Sequence, residues 1–232
     1  MSDLPLLLLF DVDGTLLRGA TDAHRDALHA ALHEVHGIDA ARAHWTLSPA
    51  GRTDGEIARA ILLGAGISAQ RIDDRYADVR EACCRHYAEL CPPDLSEFVL
   101  PGVPELLRSL AATDVRLALV TGNFEPVARL KLARARVGQW FASGQGAFGS
   151  DAEDRVALPP IARRRAATPD HPHPRERTLV IGDTPRDIAC AHADDLRCIA
   201  VATGPFAADE LTDADAVVGA ASEIAPAIAA LG

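Results

Sequence analysis

A run of apolar residues, Leu4-Pro5-Leu6-Leu7-Leu8-Leu9-Phe10, stops abruptly at Asp11-Val12-Asp13-Gly14. A strand with one wet face alternates apolar and polar residues. An unbroken apolar run of strand length instead fits a parallel strand covered on both faces. Such a strand needs neighbours of its own kind, and residues 115–121 (VRLALVT), 178–182 (TLVIG), 197–202 (RCIAVA) and, more weakly, 216–219 (AVVG) supply them. Helical stretches lie between these runs, so the pattern predicts an α/β sheet.

The chain has 232 residues, which at roughly 150 residues per domain suits one large domain or one domain with an insert. The insert is visible. Between Arg18 and Glu97 there is no strand-like run, only three amphipathic helical patterns, at residues 22–36, 54–63 and 70–90. Cys91-Pro92-Pro93-Asp94 stops the last of them, because proline lacks the amide hydrogen and disfavours helix in the residue before it. The division expected is a core of residues 1–18 and 97–232 with an all-helical insert of residues 19–96. Residues 168–174 (TPDHPHP) read as an exposed loop carrying His171 and His173.

Charge narrows the partners. Lys and Arg total 23 against 33 Asp and Glu, a net charge of −10, and the few aromatics are not interleaved with basic residues. Neither nucleic acid nor an acidic membrane leaflet suits that surface. The five cysteines (Cys83, Cys84, Cys91, Cys190, Cys198) are odd in number and lack paired metal spacing, which fits a reduced cytoplasm. The run at residues 4–10 is too short for a signal peptide or a membrane span, so a soluble cytoplasmic protein is expected. No assembly signal decides between monomer and dimer.

Three strands end in chemistry-bearing residues. The first runs into Asp11 and Asp13, the second into Thr121-Gly122-Asn123, and a third into Gly182-Asp183-Thr184-Pro185-Arg186-Asp187. In an open α/β sheet, ligands sit off the carboxyl ends of the strands, which gathers four carboxylates at one edge. They would repel one another unless a hard divalent cation joined them, and Mg²⁺ is commonly held by one or two carboxylates plus a substrate phosphate. Asp11-Val12-Asp13-Gly14 also reads as a plain turn, and Thr184 with Asp187 also reads as a helix capping box with proline at the first helical position. For Asp187 the two roles are compatible.

The set DVDGTL, VTGN and IGDTPRD, in that order and with a helical insert after the first, resembles the haloacid dehalogenase superfamily, and within it the phosphoglycolate-phosphatase-like members. The resemblance spans nearly the whole chain. It implies a Rossmann-like three-layer α/β/α core with a parallel sheet, an all-α cap, and Mg²⁺-dependent hydrolysis of a small phosphorylated metabolite through an aspartyl-phosphate. Asp11 would be the nucleophile and Asp13 the acid/base. The cation would be held by the Asp11 carboxylate, the Asp13 carbonyl and Asp183, with Asp187 beside them. Thr121, Gly122 and Asn123 would grip phosphoryl oxygens. Two other readings share these residues: a β-phosphoglucomutase-like phosphotransferase and a catalytically weakened phospholigand-binding protein.

One family feature is out of place. The family puts a lysine before its last motif, but Lys131 is the sole lysine and follows the second motif. That position also excludes the carbon–phosphorus cleaving members, which need a cap lysine. Arg155, within Ser150-Asp151-Ala152-Glu153-Asp154-Arg155, is the expected replacement, with Arg163, Arg164 and Arg165 as weaker alternatives and a surface role as the plain one. In the insert, the loop Gly51-Arg52-Thr53-Asp54-Gly55-Glu56 offers Arg52 to a substrate anion, while Thr53 or Asp54 also suits as a helix cap. His29, His33 and His36 recur at helical spacing and are expected on a solvated face rather than at a metal.

Overall fold

The computed structural model describes residues 4–43, 47–167 and 171–231. Strands β1 (Leu6–Phe10), β2 (Val115–Thr121), β3 (Ala147–Phe148), β4 (Thr178–Gly182), β5 (Arg197–Val201) and β6 (Ala216–Val218) form one all-parallel sheet in the order β3-β2-β1-β4-β5-β6. Side chains alternate across it. Leu8, Phe10, Leu117, Leu119, Leu179 and Ile181 enter the core on one face, and Leu7, Leu9, Ala118, Val120 and Val180 the core on the other. Both faces are therefore dry, which is why β1 reads as unbroken apolar sequence. The two-residue β3 is too short to leave such a trace.

Helices α1 (Asp22–His36), α2 (Asp54–Gly64), α3 (Ala69–Asp74) and α4 (Tyr76–Leu90) lie between β1 and β2 in sequence. Those that follow are α5 (Val103–Ala111), α6 (Glu125–Arg134), α7 (Leu158–Arg165), α8 (Pro185–His192) and α9 (Ile224–Leu231). Leu28, Leu32, Ile61, Val79, Cys83 and Tyr87 from the inserted helices belong to the same buried cluster as Leu8 and Phe10.

The pattern at residues 70–90 is two helices and not one. Arg75, with φ −115 and ψ 9, breaks it, and the Tyr76 hydroxyl beyond the break donates to the Gly149 carbonyl at 3.2 Å. No glycine or proline marks that break, so periodicity runs through it.

Two further expectations are corrected. The α1 histidines share no solvated face: His33 is exposed, His29 half-buried and His36 buried. Burial, then Arg71 and Arg75, hold His36 below its usual pKa. In the 168–174 stretch, Thr168, Pro169 and Asp170 lie outside the described residues, and His173 is buried between the Thr178 hydroxyl and the Pro5 carbonyl. A proline-rich composition marks the turn but hides this inward-pointing ring.

The strand order reverses between β1 and β4, since the chain runs from β1 to β2 on one side and returns to β4 on the other. The carboxyl ends of strands at such a point leave a crevice. Asp11 follows β1 and Asp183 follows β4 at that crevice, with the Asp11 amide donating to the Ile181 carbonyl at 2.9 Å.

Candidate active site

The crevice holds three buried carboxylates, Asp11, Asp183 and Asp187, each offering an oxygen within 4.8 Å of the others. The backbone is shaped around them. Gly14, at φ +92, and Gly204 lie so close to Asp183 that a Cβ on either would collide with its carboxylate. The Thr15 hydroxyl donates to Asp183 Oδ1 at 3.3 Å. Asp187 divides its oxygens between two tasks. Oδ2 accepts from the Thr184 amide (3.0 Å) and hydroxyl (2.7 Å), closing the capping box of α8, while Oδ1 accepts from Arg155 at 2.5 Å. Capping and cluster membership thus coexist.

Arg155 opens a single 3₁₀ turn (Arg155–Ala157), which Asp154 caps by accepting from the Val156 amide. Its side chain is buried, and Nη2 donates to Asp11 Oδ1 at 2.9 Å as well as to Asp187. Burial opposes the guanidinium charge, but Asp187 and Asp11 outweigh it and keep Arg155 firmly protonated. Its buried Nε has no acceptor among the described residues. One guanidinium does not balance three carboxylates. Burial, together with Asp187, pushes Asp11 up to about 7 despite Arg155. Burial followed by Asp11 and Asp187 pushes Asp183 up to about 8.

Asp13 is treated differently. Lys131 Nζ lies 2.7 and 2.9 Å from its two carboxylate oxygens, and Asn123 Nδ2 donates to Oδ2 at 2.9 Å. Burial alone would raise this carboxyl, but Lys131 prevails and holds it below the usual carboxylate range. The Asp13 side chain therefore stands apart from the three-carboxylate cluster. Behind Lys131, His24 Nδ1 is 3.2 Å from Nζ, and His24 Nε2 is 3.0 Å from Asp54 Oδ2, which also accepts from the Phe124 amide at 2.7 Å.

Both groups open into one cavity of about 660 Å³, lined also by Thr121, Gly122, Asn123, Leu28, His29 and Arg52. Thr121 is fully buried and its hydroxyl accepts from Asn123 Nδ2 at 3.2 Å. The Gly122 carbonyl accepts from the Asp54 amide at 2.8 Å, and a Cβ there would strike the Arg52 carbonyl. Thr53 caps α2 by accepting from the Glu56 amide, which leaves Asp54 free for His24. Arg52 lines the cavity while paired with Glu56 and donating to the Ser48 carbonyl.

Arg155 is thus where the sequence expects a basic residue. The weaker alternatives are elsewhere: Arg163 is buried against Asp194, Arg165 pairs with Asp151, and Arg164 is exposed. Lys131, to which the sequence assigns no role in the site, reaches Asp13 from α6. The signal was present, because 22 of 23 basic residues are Arg and the one Lys falls among Val127, Ala128 and Leu132 on the buried face of α6. His24 was missed likewise, a polar residue on the buried stripe of α1 with Ala27, Leu28 and Ala31.

A family model described as haloacid dehalogenase-like hydrolase matches residues 8–192, and a second, HAD-hydrolase-like model matches residues 159–230. A phosphoglycolate phosphatase of Pseudomonas putida is 29% identical over 208 residues, covering 87% of this chain and 71% of the relative. A protein named tyrosine-protein kinase PtkA, from Mycobacterium tuberculosis, is 30% identical over 212 residues, covering 88% of this chain and 65% of its own length. Among solved structures, CbbY from Rhodobacter sphaeroides in complex with phosphate superimposes with a TM-score of 0.66 at 22% identity, over 95% of this chain and 96% of that one.

Proposed function

Because the chain belongs to the haloacid dehalogenase-like hydrolases, we propose that it is a Mg²⁺-dependent phosphatase of small phosphorylated metabolites, akin in substrate to the phosphoglycolate phosphatases it is similar to. The observation that carries this reading is the charge imbalance at the crevice. Asp11 and Asp187 share the Arg155 guanidinium, Asp183 beside them has no ion pair among the described residues, and Asp11 and Asp183 are pushed to about 7 and about 8. A set of hard oxygen donors short of positive charge fits a divalent cation. Asp11, Asp183, Asp187 and the Asp13 carbonyl would hold it. When bound, it would keep Asp11 ionised near neutral pH and neutralise phosphoryl charge.

In this reading an Asp11 oxygen attacks phosphorus and the phosphorus–oxygen ester bond breaks, leaving an aspartyl-phosphate. Asp13, ionised in the free protein, takes up the proton that a bound monoanionic phosphomonoester carries and passes it to the departing alkoxide. The same carboxylate then takes a proton from water, which attacks the phosphorus and releases phosphate and free Asp11. Arg155, together with Thr121 and the amides of Gly122 and Asn123, would hold phosphoryl oxygens. Residues 1–18 and 97–232 would form the catalytic core. Residues 19–96 would form a cap, with Arg52 facing the substrate. The free cysteines suit a cytoplasmic setting.

The deciding experiment is phosphate release from a panel of small phosphomonoesters with Mg²⁺. Turnover is expected for at least one of them, to be lost with a chelator and in Asp11→Asn, the latter by on the order of 10⁴ or more. No release from any member, or turnover that survives Asp11→Asn, refutes the reading.

A further inference from the structure

We infer that Lys131 is a positioning residue for the acid/base carboxylate Asp13, and that His24 and Asp54 hold Lys131 to that task. The inference rests on the role given to Asp13 above. Lys131 is completely buried, on a helix face otherwise made of Val127, Ala128 and Leu132. A buried ammonium has three hydrogens to place and no lone pair, so each needs an acceptor. The structure supplies three: Asp13 Oδ1 at 2.9 Å, Asp13 Oδ2 at 2.7 Å and His24 Nδ1 at 3.2 Å.

This count fixes the direction of every link. Since Lys131 only donates, His24 Nδ1 accepts and the ring proton sits on Nε2, where it is donated to Asp54 Oδ2 at 3.0 Å. Asp54 Oδ2 accepts in addition from the Phe124 amide at 2.7 Å, directly ahead of α6. The line therefore runs from the backbone before α6 through α2 and α1 back to α6, and ends on both oxygens of Asp13. A carboxylate gripped at both oxygens from behind, with Asn123 on one side, has its rotamer set before a substrate arrives. The fit is specific to lysine. A planar guanidinium would bring five donors into a spot with three acceptors.

A residue that merely packs the core, when removed, lowers activity alike on every substrate. A residue that positions the acid acts selectively. A leaving group that departs readily without a proton, such as p-nitrophenolate, needs the acid little, whereas an alkoxide needs it much. The measure is kcat/KM, which stops at the first irreversible step and so reports departure of the leaving group without the later hydrolysis.

The test compares p-nitrophenyl phosphate with the alkyl phosphomonoester that the wild-type protein turns over best. Lys131→Met is expected to lower kcat/KM about 100-fold on the alkyl ester and less than about 10-fold on the aryl ester, and to have no further effect in an Asp13→Asn background. His24→Leu is expected to give the same selectivity with a smaller loss, and carries the test alone if Lys131→Met does not fold. Equal losses on both esters, no loss on either, or a Lys131→Met effect that persists in the Asp13→Asn background overturns the inference while leaving the phosphatase reading intact. A wild-type protein that releases phosphate from neither ester overturns both.

Discussion

Two groups of carboxylates share one cavity and are compensated in opposite ways. Asp11, Asp183 and Asp187 crowd within 4.8 Å around one guanidinium, and the carboxyl groups of Asp11 and Asp183 are driven up. Asp13, two residues from Asp11, has an ammonium to itself and is driven down. Burial alone cannot account for the difference, because burial works to raise Asp11, Asp13 and Asp183 alike. The local count of cations decides it. A group left short of positive charge is prepared to receive a cation or a phosphoryl ligand, whereas a group already neutralised is prepared to handle protons in a fixed place.

The sharpest way to break that contrast is to remove the one cation from the crowded side. Arg155→Ala leaves Asp11 and Asp187 without their Nη2 contacts, so turnover is expected to fall on the order of 10²–10³-fold with the fold retained. Arg155→Lys should recover only part of the loss, because a point charge on a flexible stem does not reproduce the guanidinium contact to Asp11 and Asp187 together. Steady-state kinetics of both variants on the best substrate check this. Near-wild-type turnover in Arg155→Ala would remove Arg155 from the machinery.

A second, smaller effect separates the two groups by pH. For Asp11 and Asp183 the folded-state values, about 7 and about 8, lie above the ordinary 3.8. Between those limits the folded chain keeps protons that the unfolded chain has released, so stability falls as pH rises through that window and levels off above it. For Asp13 the folded value lies below the ordinary one, so its contribution is present at neutral pH and is lost as pH falls through that lower value. In chelator, the midpoint of thermal unfolding is therefore expected to drop between about pH 7 and about pH 8, above the range in which His29, His36 and His173, held below their usual 6.5, act in the opposite sense, since each proton kept only by the folded chain costs at most about 1.4 kcal/mol per pH unit. Saturating Mg²⁺ should flatten that drop, because a ligand of the folded state that favours ionised carboxylates offsets it. A midpoint in chelator that is flat or rises across the same range would contradict the crowded-side account.

The sequence makes one side of this contrast more legible than the other. Strands that end in Asp11, Thr121 and Asp183 can be recognised because unbroken apolar runs are rare and their ends are sharp. With them come the sheet, the crevice and the three-carboxylate cluster. Arg155 is legible only through the resemblance, since it precedes a helix at about the spacing at which the family's lysine precedes its own. The Asp13 side is built otherwise. Lys131, His24 and Asp54 sit on α6, α1 and α2, more than a hundred residues apart at the extremes, and meet only through tertiary packing. Each has a bland local explanation, as a helix residue, a histidine in a helical pattern or a cap. The break at Arg75 and the buried rings of His36 and His173 escape for the same reason, because periodicity reports which residues are apolar and not which polar ones are turned inward.

The finest test within the well-compensated group is Asn123→Ala. Asn123 Nδ2 gives Asp13 Oδ2 one hydrogen bond at 2.9 Å, but the same oxygen keeps Lys131 at 2.7 Å, so the carboxylate stays ionised and held. Losing one bond to a charged group of this kind amounts to about 1.5 kcal/mol, roughly a tenfold effect. The Asn123 side chain also carries a buried Oδ1 without a partner among the described residues, so truncation removes an unsatisfied acceptor along with a useful donor. The two changes oppose each other in stability, and the unfolding midpoint should barely move. Activity should fall by up to about tenfold, well short of the loss expected for Lys131→Met on alkyl esters. If Asn123→Ala instead matched Lys131→Met in size and in its preference for alkyl esters, the amide and not the ammonium would set the Asp13 rotamer, and the division of labour between the two groups would have to be redrawn.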